Sequence, residues 1–424
     1  MQMFGQGYLV VQLAIRDGVP QLAPLYLGLV GLSRAIPGLA FGLFGGVVAD
    51  RADRRRLLIL TQSLAAITAG TLAILTITGR IDIVQILLLG ALNSLIFAFD
   101  APTRQSMVPR LVPPRDLMSA IGLNSAAFNG PQIVGPVVGG LLVLPLATVF
   151  GALGFPALFA GVGGLFLINA LSYVAVVVAL VFMQPMPVAS GGPQVPVLRS
   201  IREGLGYIRR EPVIRWVVLL VALTALLSRP YIQLLPAVAH EQGVGAIELS
   251  WMFGASGIGS LLGALATASL GNVRRRGMVL LVAAVAMSLM LVVFGAQRSY
   301  LVALPMLTLL GFATMVFLGM ANTLLQTRSP DHLRGRVMSV HTMVFLGFMP
   351  LGSMVLGGVG TLIGVSNSFV VGGLIVSAAA LWAALRAPAV RAATSEGRHR
   401  RPHPQVHPRP ARAEARGAGG GAGD

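Results

Sequence analysis

The chain has 424 residues, of which 55% are hydrophobic and only 11% charged, with a mean hydropathy of +0.81. A soluble globular domain carries about 25% charged residues, so this composition excludes an ordinary soluble protein and points to a polytopic helical membrane protein. The net charge of +17 comes from 31 basic residues, all arginine, in short clusters between apolar runs; cytoplasmic loops collect them there, which disfavours a nucleic-acid binder, and the absence of cysteine excludes disulfides and thiolate metal sites.

Turn-rich and charged punctuation divides the chain into twelve apolar spans, at roughly 1–15, 21–48, 57–78, 83–103, 118–144, 149–183, 213–236, 247–270, 277–296, 299–326, 337–360 and 364–385. Most are long enough to cross about 30 Å of hydrocarbon. The first is not. Its 15 residues make about 22 Å of helix at ~1.5 Å per residue. The expectation is a truncated first helix, with the true start upstream of Met1. No basic n-region of a cleavable signal peptide precedes it.

The loops sort by charge. Arg51, Arg54, Arg55 and Arg56 fall between spans 2 and 3, Arg104, Arg110 and Arg115 between 4 and 5, and Arg199, Arg202, Arg209, Arg210 and Arg215 between 6 and 7. Arg274, Arg275 and Arg276 follow between 8 and 9, and Arg328, Arg334 and Arg336 between 10 and 11. The opposite side holds only Arg16, Arg80 and Arg298, a ratio of eighteen to three. This asymmetry places the even-to-odd loops and both termini in the cytoplasm. Its regular alternation also supports twelve spans.

The longest internal break, residues 184–212, opens on PMPVASGGPQVPV and continues as SIREGLGYIRRE. The second part reads as an amphipathic helix, with Ile201, Leu205 and Ile208 on one face, lying in the cytoplasmic interface. It joins an N-terminal bundle, 1–183, to a C-terminal bundle, 213–386. The tail, 387–424, is rich in Arg, Pro, Ala and Gly and is expected to be disordered. Its His399, His403 and His407 recur every four residues, but the intervening prolines forbid the helix that would align them on a metal. The basic tail is either solvated or in contact with anionic lipid.

The two halves carry traces of a repeat. Ala101 aligns with Ala321, and Met118-Ser119 with Met338-Ser339, at a spacing of 220; Gly139-Gly140 aligns with Gly357-Gly358 at 218. The stretch GGVVADRADRRR, Gly45 to Arg56, has a degraded counterpart in SLGNVRRRG, which keeps arginines and loses aspartates. The pattern suggests two related six-helix bundles facing each other across a pathway.

The residues now resemble a family. Gly46, Asp50, Arg51, Arg54 and Arg55 match the loop 2–3 signature G-x-x-x-D-R-x-x-R-R of the major facilitator superfamily. In span 5, Gly135, Pro136, Gly139 and Gly140 resemble the G-P-x-x-G-G signature of its exporters. The runs DAPTRQ, LVPPRDLMSAIGLNSAAFN and LRSIREGLGYIRREP look like the enterobactin-exporter-like branch of bacterial efflux proteins. The resemblance covers about residues 1–386 and implies an all-α integral membrane protein with twelve transmembrane helices in the major facilitator fold. It further implies export of a small amphipathic molecule, a drug or siderophore-like compound, across a bacterial inner membrane. No Walker A sequence occurs, so proton antiport is the expected drive. Two alternatives stay open: an importer of the same fold, and a transport-inactive membrane scaffold.

By the same resemblance, the loop 2–3 residues form a conformational latch in which Asp50 engages the cytoplasmic end of span 11. A carboxylate at a helix N-terminus contributes about 0.3–1 kcal/mol, weak enough to break in each cycle; the arginines alone would also serve as a positive-inside anchor. The span 5 glycines and proline would bend that helix and pack it against the other half. Asp100 and Arg104, an i,i+4 pair, are candidates for a gate or for proton coupling. Arg34 and Arg229 are charges within spans and so suggest a function in the cavity. Gln12, Asn93, Gln233 and Asn322 lie on spans 1, 4, 7 and 10, which line the central cavity in this superfamily; Asn124 and His341 are further polar candidates. Each is as readily an interhelical hydrogen bond. No acid lies deep in any span, so a coupling carboxylate is expected upstream of Met1, at Asp50 or at Asp100. No enzyme activity, cofactor, metal or nucleic-acid partner is expected; the expected partners are a small-molecule substrate, protons and the lipid bilayer, with the protein a monomer.

Overall fold

A computed structural model describes residues 1–183, 197–269, 273 and 275–393. The N-terminal half consists of α1 (Gln2–Arg16), α2 (Ala23–Arg51), α3 (Arg54–Ile77), α4 (Ile83–Leu111), α5 (Leu117–Ala152) and α6 (Ala157–Phe182). A connecting helix, α7 (Val197–Arg210), leads to α8 (Pro212–Leu227) and α9 (Tyr231–Glu241), which together make one broken span. Then come α10 (Ala246–Ser269), α11 (Arg276–Ala296), α12 (Tyr300–Arg328), α13 (Asp331–Ile363), α14 (Val365–Arg386) and the short α15 (Pro388–Arg391). Among the described residues, 11 segments are long and apolar enough to cross a membrane. The remaining helix of the N-terminal bundle, α1, has 15 residues and buries Phe4, Leu9, Val10, Leu13 and Ala14 among its neighbours.

Local chemistry sets the boundaries. Asp82 and Gln85 form a capping box at the start of α4, with bonds of 2.7 and 3.3 Å. The expected sixth span from residue 149 is shortened at its start: α5 runs on to Ala152, the chain turns at Gly154 with φ +86°, and Pro156 precedes α6. The fourth span also differs, because α4 continues past residue 103 to Leu111. Helical hydrogen bonding carries on where hydropathy has already fallen.

The two halves repeat their packing. Within the first, α2 lies against α4, α3 against α6 and α4, and α5 against α6; six spans later α10 lies against α12, α11 against α14 and α12, and α13 against α14. Between the halves, α2 crosses α13, and α5 crosses α10.

These crossings are made by glycines, since association in lipid depends on close packing. A Cβ on Gly28 of α2 would lie 2.6 Å from the Ser353 carbonyl of α13, and one on Gly357 would meet the Pro24 backbone at 2.9 Å. On the other seam, a Cβ on Gly254 or Gly257 of α10 would press on Val137 or Ile133 of α5 at 2.8 and 2.9 Å. Gly140 of α5 abuts Ser250 and Ala246 of α10. All these contacts lie remote from the arginine-rich loops. Toward those loops, Gly42 of α2, Gly122 and Gly130 of α5 and Gly335 of α13 have no heavy atom within 4 Å of the Cβ position. Among the described residues, the tightest contacts between the halves are thus concentrated away from the arginine-rich end, in the manner of a wedge that narrows toward the opposite end.

The connecting helix is more firmly docked than a free interfacial helix. Ile208 is buried in the core of the C-terminal half and Ile201 packs against it, whereas Leu205 stays 36% exposed. Glu203 pairs with Arg336 of α13, and the Tyr207 hydroxyl donates to the Arg328 carbonyl at 3.3 Å. Residues 387–393 depart from the expected tail: Val390 and Ala393 are buried against the start of α11, and the Gly277 amide donates to the Ala393 carbonyl at 3.2 Å. Residues 394–424, with His399, His403 and His407, lie outside the described residues, as does most of the SLGNVRRRG loop.

The cysteine-free sequence allows a direct check of the wedge. The pair Val137→Cys/Gly254→Cys is expected to form a disulfide readily under mild oxidation of the purified protein, since a Cβ on Gly254 would lie 2.8 Å from the Val137 Cγ2 and a disulfide needs closely approaching side chains. The pair Gly42→Cys/Gly335→Cys is expected to cross-link several-fold more slowly, as read on reducing and non-reducing gels.

Candidate functional site

The loop 2–3 motif divides into two parts. Gly46, Asp50 and Arg51 lie within α2, but their side chains fall outside the described residues. Gly45 is described: it brings α2 onto the Ala98–Phe99 backbone of α4, within the same half. Asp53 caps α3, accepting from the Arg55 and Arg56 amides at 3.0 and 3.3 Å. The Arg54 side chain is buried and donates from Nε to the Ser106 hydroxyl at 2.8 Å. Arg55 donates to the Leu180 and Val181 carbonyls at 2.8 and 2.5 Å, satisfying the last turn of α6. The hydrogen bonds of Arg54 and Arg55 thus tie α3 to α4 and α6 in the N-terminal half.

The span 5 motif sits at a seam. A Cβ on Gly135 would lie 2.8 Å from the Met1 nitrogen, and one on Gly139 would lie 3.1 Å from Phe4 of α1. Gly140 faces α10, and Pro136 is inside the helix. Gln233, on α9, bridges the halves: its amide donates to the Leu27 carbonyl of α2 at 2.9 Å and accepts from Ser353 of α13 at 3.2 Å. It staples the closed end of the wedge.

Asp100 is the deepest described acid of the N-terminal half. Because α4 extends to Leu111, it lies well inside that helix and is 3% exposed. Its Oδ1 accepts from Thr61 at 3.0 Å and from Gln62 at 2.6 Å, and its Oδ2 from Arg104 at 2.7 Å. The Arg104 side chain itself is 54% exposed. The carboxylate, Gln62 and Arg104 sit in the wall of a cavity of about 410 Å³ between α3, α4, α5 and α6, lined also by Asn93, Gln105, Asn124 and Tyr173. A second cavity of about 280 Å³, lined by Gln2, Met3, Arg34, Gly90, Asn93, Ser94 and Phe97, shares Asn93 and Phe97 with it. Asn93, Asn124, Asp100, Arg104 and Arg34 are thus brought to one chain of cavities. Thr61, Gln62 and Tyr173 escaped the sequence reading. The signal for the first two was the polar run Thr61-Gln62-Ser63 inside an apolar span.

The other candidates are scattered. Arg229 lies in the break between α8 and α9, with its guanidinium carbon 5.9 Å from the centre of the Phe345 ring. Asn322 is exposed and accepts from Gln326 at 2.5 Å. Gln12 is half-buried on α1. His341 is half-buried on α13, and its Nε2 has no partner among the described residues.

Two six-helix halves with repeated packing, joined through small residues around a one-ended wedge, define a multi-pass membrane transporter of the major facilitator fold. Solved structures agree. A bacterial homologue of the human lysosomal transporter Spinster, inward-facing and occupied, superposes with a TM-score of 0.69 at 16% identity, covering 92% of this chain and 96% of that one. A D-xylose-proton symporter gives 0.63 at 14% identity, covering 90% and 94%. Residues 8–415 match the transmembrane secretion effector family, and the chain belongs to it. Among curated relatives, the enterobactin exporter EntS of Shigella boydii serotype 4 (strain Sb227) is 26% identical over 339 residues, 79% of this chain and 77% of that protein. EntS of Escherichia coli O139:H28 (strain E24377A / ETEC) is 25% identical over 338 residues, 78% and 77% respectively. Family, relatives and fold are those of transporters, not enzymes.

The hydrogen bonds of Arg54 and Arg55 make stability the first property to suffer from their loss. Arg54→Ala and Arg55→Ala are each expected to destabilise the detergent-solubilised protein by about 2 kcal/mol, the scale of charge-assisted bonds. Arg56→Ala, whose side chain is 87% exposed, should change stability by less than ~0.5 kcal/mol. Thermal unfolding of the three variants checks this.

Proposed function

We propose that the chain exports a small amphipathic molecule across a bacterial inner membrane by alternating access, in exchange for protons. The arginine-rich end and both termini face the cytoplasm, following the positive-inside bias. The observation that carries this reading is the one-ended wedge. Two crossing seams, α2 with α13 and α5 with α10, have their tightest described contacts away from the arginine-rich end, which suits two rigid halves rocking about a path between them. The halves 1–183 and 213–386 would be the moving units and 184–212 their connection. One chain supplies the whole path, which favours a monomer. The direction follows from the relatives named as enterobactin exporters; the fold alone is shared with a D-xylose-proton symporter.

Asp100 is the candidate for proton coupling. It is buried, hydrogen-bonded and next to a cavity, and protonation would release Arg104, which the carboxylate now holds. Asp50 is assigned, by its place in the loop 2–3 signature, to a latch that closes the arginine-rich end in the opposite state. Span 5, with Gly135, Pro136, Gly139 and Gly140, acts at the seam with α1 and α10. Contact of the basic tail with anionic lipid headgroups completes the reading.

Expression in cells stripped of their own pumps is expected to lower accumulation of at least one compound in a broad panel of drugs and siderophore-like molecules, and a protonophore to restore it. Unchanged accumulation across the panel would overturn the export reading. Asp100→Asn can keep the Thr61 and Gln62 bonds and should fold. It is expected to reduce gradient-driven export tenfold or more while sparing exchange in the absence of a gradient; equal loss of both would remove Asp100 from coupling. Asp50→Asn is expected to slow transport several-fold at unchanged expression.

A further inference from the structure

We infer that the molecule carried through the wedge is an anion with an apolar or aromatic body, bound near the apex by Arg34 from one half and Arg229 from the other. The inference rests on the reading of the wedge as a substrate path.

Position is the first argument. A Cβ on Gly31 of α2 would lie 2.9 Å from the Gln233 amide carbon of α9, so the halves touch there. Arg34 lies three residues beyond Gly31, and α2 runs toward the arginine-rich end. Arg229 lies four residues before Gln233, in a span that runs away from that end. Each arginine is therefore about one helical turn from the contact, on its open side, one from each half.

Charge is the second. Arginine inside a membrane span is costly and ordinarily paired. No described carboxylate forms an ion pair with Arg34 or Arg229. The Arg229 Nε is buried without a hydrogen-bond partner among the described residues. Arg34 instead lines a cavity with Gln2, Asn93 and Ser94, groups able to hydrogen-bond a ligand.

The surroundings supply the third. Phe97 and Met3 line the Arg34 cavity, and Phe345 lies beside the Arg229 guanidinium. A forked donor beside Phe97 and Met3, and a second beside Phe345, select a carboxylate, sulfonate or phosphate on an apolar frame and discriminate against cationic amphiphiles by like charge.

The full-length protein, purified and reconstituted in nanodiscs of zwitterionic lipid, is to be titrated with matched probes: aromatic carboxylates, sulfonates and phosphates, each beside its neutral ester, and aromatic amines. Thermal stabilisation and equilibrium dialysis are expected to show binding of at least one anion at least tenfold tighter than its ester. Arg34→Gln and Arg229→Gln should each lose tenfold or more in affinity for that anion, and Arg34→Lys and Arg229→Lys should recover part of it. The lysine variants keep the test open if a glutamine variant does not fold. Preference for esters or amines, unchanged anion affinity in the glutamine variants, or no binding of any anion overturns the inference. So does loss of the anion in nanodiscs of anionic lipid, because the arginines would then hold a headgroup. Export of a neutral or cationic compound with no anion bound would sink this inference and leave the export reading standing. Anion binding that depends on both arginines, with no transport in vesicles, would do the reverse.

Discussion

The close approach of helix backbones at one end of the molecule is the constraint on which the rest depends. In hydrocarbon there is no hydrophobic drive to bring helices together, so association rests on packing that only small residues permit. Gly28 and Gly357 on one seam, and Gly140, Gly254 and Gly257 on the other, leave no room for a side chain. Gln233 adds a hydrogen-bonded bridge across the same end. Beyond that end, no described atom comes within 4 Å of the Cβ position of Gly42, Gly122, Gly130 or Gly335. A joint of this kind is tight yet built of many weak contacts, so it can hold and part without unfolding either half.

Polar bonds tie helix ends together in both halves. In the N-terminal half, polar bonds tie helix ends together: Asp53 caps α3, Arg54 reaches Ser106, and Arg55 satisfies the carbonyls ending α6. In the C-terminal half, Glu241 accepts from the Val365 and Ser366 amides at 2.6 and 3.1 Å, capping α14 from the end of α9. The connecting helix and the 387–393 segment are packed onto this same half. A charged motif that reads as a single device in the sequence is thus partly a set of helix-end anchors.

Much of this was legible in the sequence, for physical reasons. The order of the apolar spans follows from hydropathy, and among the described residues 11 segments are long and apolar enough to cross a membrane; of the aligned glycines, Gly140 and Gly357 lie on the two seams, whereas their respective counterparts Gly358 and Gly139 do not. What hydropathy could not show was where a helix continues after its residues turn polar. Arg104 to Leu111 read as a loop, although the backbone bonds of α4 run through it. That error moved Asp100 from the interior to the edge and hid its partners. Nor could a linear pattern show that Gln233 bridges the halves, since its partners Leu27 and Ser353 are 206 and 120 residues away.

The repeat gives the ion pair of the buried Asp100 its meaning. At the spacing of 220 set by Ala101 and Ala321, Asp100 and Arg104 correspond to Met320 and Leu324. Both of these are buried, at 2% and 1% exposure, in the apolar core of the C-terminal half. The same architectural position is therefore filled without charge in one half and with charge in the other. Buried ion pairs replaced by well-packed apolar residues are often neutral or more stable by about 1–4 kcal/mol. The corresponding position of the second half packs without charge, so the architecture itself does not require an ion pair there. The carboxylate kept at this position is hydrogen-bonded from α3 and open to a cavity, the setting that the proposed proton coupling requires.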